Sequence, residues 1–345
     1  MTGLYAAEGV TASDSLACAF FLQEQVGMSK AFHHVYGPVP SRRLGRSLGV
    51  DALTFKTCSF DCVYCQLGHT TNHTVERREY VAVDDILDEI RRKLAVDTPQ
   101  YISFAGSGEP TLNSRLGDII RNIKIMTDVP VVVITNGSLL WRADVRSDLA
   151  AADVVIPSLD GGSAAQLAAV NAPEDSLKFQ EIVDGLIRFR KEYHGQIWLE
   201  IMLLGGMNDD DASIDALARL VREIRPDKVQ LNSVCRPPAE HSAQPVPAAR
   251  LRIICERMAA EVPCPVEIIA THLDDEAHTT FRAQVQEEDV LATIARRPCT
   301  VNDVAAGLGI HHNEALKHLE MLAADGKATT QLRGDQLYYA AVETA

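Results

Sequence analysis

The sequence predicts an α/β fold in which a partial (β/α)6, TIM-like barrel is followed by a small α+β domain. Two observations indicate the barrel. Short runs rich in β-branched residues alternate with amphipathic stretches of helical period, and polar or glycine residues follow the runs. A third observation, the change of pattern near residue 287, indicates a second domain. The order of helices and short strands in that last region is typical of a winged helix.

The predicted strands are short apolar runs without helical period. They lie at residues 48–54, 101–106, 129–137, 153–160, 197–204, 227–234 and 266–272. The predicted helices between them lie at residues 83–95, 115–126, 176–194 and 213–225. In the first helix, Ile86, Ile90 and Leu94 recur four residues apart on one face. Strands that alternate with helices pair in parallel, so we expect the site at the carboxyl ends of the strands.

The same pattern divides the chain into four segments. They are an N-terminal extension at residues 1–30, the barrel at 31–275, a linker at 276–286 and the winged-helix domain at 287–345. A proline-rich stretch at 236–250 interrupts the alternation after the sixth strand. In the last segment, Thr300 and Asp303 form a T-x-x-D box, which is a helix start signal ahead of a second helix and two short strands.

The composition is that of an ordinary soluble globular protein. Of the 345 residues, 46% are hydrophobic and 23% are charged, and the longest apolar stretches have only the length of a strand, which argues against a membrane span. The first 27 residues lack a basic region followed by a long apolar one, which argues against secretion and predicts a cytoplasmic location. In a reducing compartment, grouped thiols act as metal ligands or reactive groups more often than as disulfides.

The charge distribution bears on nucleic-acid binding. A formal net charge of −14 disfavours broad contact with phosphates, and residues 287–345 contain nine acidic and five basic side chains, so we do not expect DNA binding. Packing on the barrel, or presentation of a peptide, protein or substrate, fits that charge better. Arg42, Arg43 and Arg46 nevertheless form a local basic patch, which leaves salt-sensitive binding of tRNA open as an alternative.

Three of the eight cysteines lie within eight positions. Cys58, Cys62 and Cys65 have C-x3-C-x2-C spacing. Three thiolates on one loop can hold three corners of an iron-sulfur cube and leave one iron open to another ligand. A zinc site completed by His69 or His73 is the alternative, because structural zinc takes four ligands.

Three other cysteines could hold an auxiliary cluster. Cys235, Cys255 and Cys264 have irregular spacing and flanking prolines, so buried structural thiols are the default interpretation.

The cysteine loop, with the aromatic Tyr64 just before its last cysteine, resembles the signature of the radical S-adenosylmethionine (SAM) superfamily. The resemblance implies that the three thiolates bind a 4Fe-4S cluster whose fourth iron is chelated by the amino and carboxylate groups of SAM. It implies reductive cleavage of SAM to methionine and a 5′-deoxyadenosyl radical that abstracts hydrogen from a substrate. Because no G-x-G-x-x-G fingerprint follows a strand, we expect an external electron donor of flavodoxin or ferredoxin type.

A second motif follows the second predicted strand. Gly106, Ser107, Gly108 and Glu109 are similar to the "GGE" motif of that superfamily, which binds the methionyl amine, with serine where glycine is commoner. The glycines allow close approach of the backbone to a ligand, and the carboxylate can receive an ammonium group.

Polar residues at or near the ends of later strands are further candidates for contacts with SAM. They are Asn136, Ser158, Asp160, Glu200 and Asn232. Ser158 and Asp160 lie two apart on one face of an extended chain and suit ribose hydroxyls, with Asp160 as an ordinary helix N-cap as the alternative. Glu200 interrupts an apolar strand, so it should face the barrel interior, where burial requires a partner. We expect a cofactor or substrate contact there, and Asn232 is a similar case.

Residues 36–51 and 106–113 resemble a narrower subgroup, the Fe-S oxidoreductases related to tRNA wyosine synthases. True synthases carry additional cysteines for a second cluster, whereas only Cys18 precedes Cys58 here. The resemblance therefore implies a radical SAM enzyme that acts on an unidentified small molecule, peptide or RNA. No catalytic residue beyond the cofactor ligands is assigned. Two alternatives stay open, a tRNA- or RNA-modifying enzyme and an iron-sulfur redox sensor that regulates through its winged helix.

Overall fold

The structure is a computed structural model. It describes residues 32–41, 43–235, 238–270, 285, 287–308, 310, 312–333 and 336–342. The chain divides into two compact units at residues 1–33 and 34–345, and every element below belongs to the second. The predicted extension at 1–30 lies outside the described residues, as does the predicted linker at 276–286 except for residue 285.

One eight-stranded sheet forms the centre of the second unit. Its strands are β1 (Val35–Ser41), β2 (Gly45–Val50), β5 (Tyr101–Phe104), β6 (Val131–Thr135), β7 (Val154–Pro157), β8 (Gln196–Leu203), β9 (Lys228–Ser233) and β10 (Val266–Ile268), and they are neighbours in that order. All strands from β2 to β10 pair in parallel, and β1 pairs antiparallel with β2. A small separate ladder joins β3 (Thr57–Cys58) to β4 (Asn72–His73).

Helices connect the parallel strands. They are α1 (Val83–Leu94), α2 (Leu116–Met126), α3 (Ala143–Leu149), α4 (Ala164–Asn171), α5 (Phe179–Glu192), α6 (Asp211–Ile224) and α7 (Ala248–Glu261). The predicted α/β fold with a partial parallel barrel is confirmed. The alternation continues past the proline-rich stretch, because α7 begins directly after Pro247 and leads into β10. Proline at such a position costs little, since the first N–H groups of a helix have no partner within it.

Strand β1 was not among the predicted strands. Its sequence contains Pro38 and Pro40, which normally argue against a central strand, and its pairing with β2 is irregular between Tyr36 and Val39. Proline is tolerated at the edge of a sheet, where an N–H is not needed for a neighbour. The edge position of β1 therefore accounts for a strand without a strand-like pattern.

The main hydrophobic core lies between the sheet and the surrounding helices. Ile86 and Ile90 of α1 and Ile119, Ile120 and Ile123 of α2 are fully buried in it. A smaller apolar cluster on the opposite side of the sheet has five buried members, Leu44, Val132, Val154, Ile156 and Trp198. This second face is the inner face of the partial barrel, where side chains of neighbouring strands pack on one another.

The C-terminal elements follow the order predicted from sequence. They are α8 (Glu287–Arg296), α9 (Val301–Leu308), α10 (His312–Ala324) and an antiparallel hairpin of β11 (Ala328–Arg333) and β12 (Gln336–Ala341). They enclose an apolar cluster of their own, and α8 and α9 lie against β1. Thr300 and Asp303 cap α9 reciprocally through their side chains and backbone N–H groups, as the T-x-x-D box predicts. The winged-helix assignment and its boundaries stay predictions.

Along the described ranges, no helix combines the length and the apolar character needed to cross a bilayer.

Candidate functional site

The three clustered cysteines lie on the loop that follows β2. Cys58 ends β3, and a turn with a hydrogen bond from Cys65 N to Cys62 O at 3.0 Å carries the other two. All three thiols are free and partly buried. Within the described ranges, no three His, Cys, Asp or Glu side chains converge as ligands of one metal ion would. An iron-sulfur cube needs no such convergence, because each thiolate binds a different iron.

Each of the three sulfurs has a nitrogen donor near it. Lys56 Nζ donates to Cys65 Sγ at 3.2 Å, and Asn171 Nδ2 donates to Cys62 Sγ at 3.3 Å. Asn136 Nδ2 lies 3.7 Å from Cys58 Sγ. Hydrogen bonds to the sulfurs are among the main features that set the potential of a protein-bound cluster.

The surroundings of the thiols disfavour free thiolates. Burial, followed by the nearby Glu109 carboxylate, raises the pKa of Cys58 to about 12. Burial and the charge at Cys58 raise the pKa of Cys62 well above its usual value. Thiolates at these positions therefore need a source of positive charge, and bound iron supplies one. This donor set fits a cluster held by three cysteines.

Lys56 adds a fixed positive charge to the thiol loop. It is only 2% exposed, and its ammonium group donates to Cys65 Sγ and to the Gly68 carbonyl oxygen. In the part of the chain that the structure describes, no carboxylate forms an ion pair with it. A buried charge is costly without an opposite charge nearby, so Lys56 suits a loop that carries thiolates.

Glu109 is a buried carboxylate at the end of the glycine turn after β5. It is 2% exposed, and burial raises its pKa. Its Oε1 accepts hydrogen bonds from Thr111 N, Thr111 Oγ1 and Thr135 Oγ1, and its Oε2 accepts one from Asn136 N at 2.6 Å. All four donors are neutral, and within the described ranges no cationic side chain pairs with Glu109. Since Oε2 accepts a single bond, it can still receive an ammonium group.

The glycine turn packs directly on the thiol loop. A Cβ at Gly108 would lie 1.6 Å from Thr57 O, so no other residue fits without movement of the backbone. Glu109 N also donates to Thr57 O at 3.2 Å. Thr57 precedes Cys58, and the contact therefore fixes the Glu109 carboxylate relative to the first cysteine.

Ser107 lies in the same turn, and its backbone N–H and hydroxyl are already bonded to Asp51. Its backbone N–H donates to Asp51 Oδ2 at 3.1 Å, and its hydroxyl donates to the same oxygen. A Cβ at Gly106 would lie 2.5 Å from Asp51 Cγ. Ser107 therefore supports the turn through Asp51, and a contact of Ser107 with the cofactor stays a prediction.

Tyr64 is held by a buried polar cluster. Its hydroxyl donates to Asp160 Oδ2 at 2.5 Å, and Asn171 Nδ2 donates to the same oxygen at 2.7 Å. Asp160 Oδ1 accepts from Met202 N at 2.8 Å. Burial raises the pKa of Asp160 to about 6. With both oxygens engaged, Asp160 anchors the cysteine loop to β7 and β8.

The alternative role of Asp160, a helix N-cap, is wrong. The N-cap of α4 is Ser163, whose side chain accepts a hydrogen bond from Gln166 N. The sequence allowed both residues, because serine and aspartate are equally good caps.

Glu200 faces the barrel interior, as its position in an apolar strand predicts, and its partner is Arg43. The two guanidinium nitrogens of Arg43 donate to the two oxygens of Glu200 at 2.5 and 3.1 Å. Asn232 Nδ2 donates to Glu200 Oε1 at 2.7 Å, so Glu200 and Asn232 are brought together. Arg46 lies 3.7 Å from Asp97, and Arg42 is outside the described residues. Arg43 is therefore held by Glu200 through both guanidinium nitrogens, whereas the contact of Arg46 with Asp97 is long.

Asn136 and Ser158 lie directly after β6 and β7. Asn136 Nδ2 donates to Ser59 Oγ at 2.9 Å, and its backbone N–H reaches Glu109, so it links the two motifs. Ser158 N donates to Thr135 O, and the backbone of Ser158 forms an isolated parallel β-bridge with that of Glu200. The structure therefore brings Cys58, Glu109 and Asn136 together, while Glu200 and Asn232 form a second group next to Ser158.

The residues of the zinc and auxiliary-cluster alternatives have other contacts. His69 Nδ1 lies 3.2 Å from Asp61 Oδ2, and His73 Nε2 lies 3.1 Å from the Ser59 carbonyl oxygen. Cys255 and Cys264 pack against the main core, and the Cys255 thiol donates to the Val266 carbonyl oxygen.

Sequence reasoning missed several residues of this site. Lys56 and Asn171 contact the cysteine sulfurs, and Thr111 and Thr135 hold Glu109. A usable signal existed for Lys56, since a lysine two residues before a thiolate ligand is a candidate counter-charge. No such signal exists for Asn171, which lies 109 residues from Cys62.

Comparisons with known proteins agree with this geometry. The family model of the radical SAM superfamily matches residues 53–218. A protein of Brachyspira hyodysenteriae named GTPase Obg is 38% identical over 307 residues, which are 89% of this chain and 45% of that protein. A UPF0026 protein of Synechocystis sp. is 38% identical over 211 residues, which are 61% of this chain and 78% of that protein. The chain thus spans less than half the length of the first relative.

The fold has a counterpart among solved structures. The crystal structure of Streptococcus suis SuiB bound to S-adenosylmethionine has a TM-score of 0.51 and 13% identity, over 81% of this chain and 59% of SuiB. At that identity the similarity supports the fold alone. The match to the superfamily model confirms, over residues 53–218, the resemblance that the cysteine loop predicts. The chain therefore belongs to the UPF0026 family, and its residues 53–218 match the radical SAM superfamily, whose cofactors are a 4Fe-4S cluster and SAM.

Proposed function

We propose that this enzyme reductively cleaves SAM and uses the resulting 5′-deoxyadenosyl radical to abstract hydrogen from a substrate. The observation that carries the proposal is the environment of the Glu109 carboxylate. This buried carboxylate has only neutral donors within the described residues, and the Gly108–Thr57 contact fixes it next to the cysteine loop. A ligand ammonium group at Oε2 would provide the missing opposite charge.

The residues of the site have separate tasks in this reaction. When bound and reduced, the cluster supplies the electron that cleaves the sulfonium of SAM. Cys58, Cys62 and Cys65 would hold it, and Glu109 would accept the ammonium group of SAM. Tyr64 and the surrounding apolar side chains of Val63, Leu204 and Val234 limit access of water to the loop.

The remaining cofactor contacts are part of the same proposal. Asn136 and Ser158 lie at strand ends where SAM hydroxyls or its carboxylate could be bound, and the Arg43–Glu200–Asn232 group lies beside Ser158. Asp160 would act by orienting Tyr64 and the loop.

We infer an external electron donor of flavodoxin or ferredoxin type, because the sequence carries no nucleotide fingerprint after a strand. The substrate class, whether small molecule, peptide or RNA, and the similarity to wyosine-synthase-related oxidoreductases remain hypotheses. A cytoplasmic location fits the need to keep the cysteine loop reduced.

The two alternatives from sequence receive less support. Binding of tRNA through the basic patch is less favoured, because the Arg43 guanidinium is already paired with the buried Glu200. A redox-sensing regulator would need a C-terminal domain free to bind DNA, whereas α8 and α9 lie against β1. The acidic balance of residues 287–345 also disfavours that function.

The test is an anaerobic assay of SAM cleavage. The protein is reconstituted with iron and sulfide, dithionite and SAM are added, and 5′-deoxyadenosine is quantified for wild type, Cys62→Ala and Cys255→Ala. Cys255→Ala is the matched control, because it removes a partly buried thiol outside the loop.

The proposal expects 5′-deoxyadenosine from wild type and Cys255→Ala, and none from Cys62→Ala. A wild-type protein that holds a cluster but cleaves no SAM, even with candidate substrates present, would contradict the proposal and favour the sensor.

A further inference from the structure

Asp51, the residue after β2, accepts hydrogen bonds from the glycine turn that carries Glu109. Asp51 is 2% exposed. Its Oδ2 accepts the backbone N–H and the hydroxyl of Ser107, and its Oδ1 accepts Leu53 N at 3.2 Å. The close packing of Gly106 on Asp51 leaves no room for a side chain between them. The position of the turn therefore depends on the position of this carboxylate.

The positive charge that pairs with Asp51 comes from the C-terminal region. Arg296, the last residue of α8, donates from Nη1 to Asp51 Oδ2 at 2.5 Å, across 245 residues of sequence. Its guanidinium carbon also lies 5.4 Å from the centre of the Tyr36 ring. The Tyr36 hydroxyl donates to the Ala105 carbonyl oxygen at 2.9 Å. Arg296 therefore contacts two residues that hold the turn. Tyr36 bonds to the turn at Ala105, and Asp51 bonds to it at Ser107.

We propose that Arg296 is a positioning residue through which the C-terminal region holds the Glu109 turn in its SAM-binding position. The inference rests on the proposed function of Glu109 and gives residues 287–345 a role in the active site. Asp51 is buried and Arg296 is partly exposed, so removal of the guanidinium leaves a buried carboxylate without its counter-charge, which disfavours the original arrangement. Asp51 would then shift or take up water, and the turn packed on it would move. Small displacements of a binding group weaken a site substantially.

A second ion pair between the two regions allows this role to be separated from simple docking. Lys93 Nζ of α1 lies 3.4 Å from Asp289 Oδ1, which is on the same helix as Arg296, and neither Lys93 nor Asp289 is hydrogen-bonded to Asp51. We expect a substitution of Asp289 to weaken docking of α8 and to leave the contacts of Asp51 unchanged. Asp289→Asn is therefore the matched control.

The experiment compares full-length wild type, Arg296→Ala, Arg296→Lys and Asp289→Asn, each reconstituted with iron and sulfide. Three quantities are measured: iron content, the Kd of SAM by equilibrium dialysis, and hydrogen exchange of backbone amides at residues 105–109. We expect Arg296→Ala to raise the Kd of SAM about 10-fold or more and to speed exchange in the turn, with iron content unchanged. Arg296→Lys should restore part of the affinity, and Asp289→Asn should resemble wild type in both quantities.

A wild-type Kd and unchanged exchange in Arg296→Ala would overturn the inference. Equal effects of Arg296→Ala and Asp289→Asn would also overturn it, because they would indicate docking alone. Should wild type fail to bind SAM, the proposed function fails, while faster exchange at 105–109 in Arg296→Ala, but not in Asp289→Asn, would still support the positioning role.

Discussion

Lys56 and Glu109 are buried charged residues without an ion-pair partner in the described part of the chain. Lys56 donates to a cysteine sulfur, and Glu109 is surrounded by neutral donors. Buried charges in folded proteins are normally paired or bound to a metal or ligand. Their location on two adjoining segments, the thiol loop and the glycine turn, suits the proposed site, in which an anionic cluster lies next to the cationic end of SAM.

Substitution of Glu109 by glutamine should weaken SAM binding and leave the cluster in place. A hydrogen bond from an ammonium group to a carboxylate is worth about 1.5–3 kcal/mol, so the Kd of SAM should rise about 10- to 100-fold. Equilibrium dialysis of the reconstituted protein measures the Kd, and iron analysis measures cluster content. Glu256→Gln, at an exposed position on α7, serves as control. Equal affinity of Glu109→Gln and wild type would show that the carboxylate does not receive the amine.

Substitution of Lys56 by methionine should make the cluster harder to reduce. Loss of a positive charge near the sulfurs disfavours the more negative reduced state, so the midpoint potential should fall by on the order of 100 mV. A redox titration followed by electron paramagnetic resonance measures this potential. Lys191→Met removes an exposed lysine of α5 and should leave the potential unchanged. An unchanged potential in Lys56→Met would mean that the charge is screened or displaced when the cluster is bound.

Among the secondary-structure elements, the contact that fixes Glu109 relative to Cys58 is the one between β3 and the turn after β5. The two segments touch through backbone atoms at Gly108 and Thr57, where no side chain intervenes. Backbone contacts of this kind transmit position accurately, because no rotatable side chain can relax between the two segments. The arrangement explains why a glycine is needed beside Glu109 in this chain.

Gly108→Ala should therefore reduce both cluster content and SAM affinity. The added Cβ would lie 1.6 Å from Thr57 O, which forces the turn and the thiol loop apart. Iron analysis and dialysis measure the two effects. Gly205→Ala is the control, because the nearest atom to its Cβ is 3.1 Å away and belongs to a different loop. Normal iron content in Gly108→Ala would show that the loops bind their ligands independently.

Asp160 joins the ends of β7 and β8 to the cysteine loop and should make stability depend on pH. Its pKa is raised from 3.8 to about 6, so between these values the folded protein binds more protons than the unfolded chain. The free energy of unfolding therefore falls as pH rises through this window, by roughly 3 kcal/mol from this group.

Asp160→Asn removes the titration, so the decline between about pH 4 and 6 should become shallower. Urea unfolding of metal-free protein, compared by slope against pH rather than by absolute stability, measures the effect. Identical slopes in wild type and Asp160→Asn would contradict the raised pKa.

Across the whole chain, the sequence predicts what depends on local pattern and misses what depends on distant pairing. The βα alternation predicts the parallel sheet, and the C-x3-C-x2-C loop predicts the cluster ligands. The partner of Glu200 was predicted to exist, but its identity as Arg43 was not, because the two lie 157 residues apart. The Asp51–Arg296 pair spans 245 residues and has no local signal at either end. Strand β1 was not predicted because its two prolines argue against a strand, except at the edge of a sheet.

In the proposed site, Cys58, Cys62 and Cys65 would hold a cluster whose fourth iron is left for the SAM molecule that Glu109 binds. The sharpest test is Mössbauer spectroscopy of protein reconstituted with isotopically enriched iron. We expect SAM to change the signal of one iron of the four, and Glu109→Gln to require a higher SAM concentration for the same change. A spectrum that SAM leaves unaltered, or a cluster that assembles equally well in Cys62→Ala, would show that the site does not bind SAM in this way.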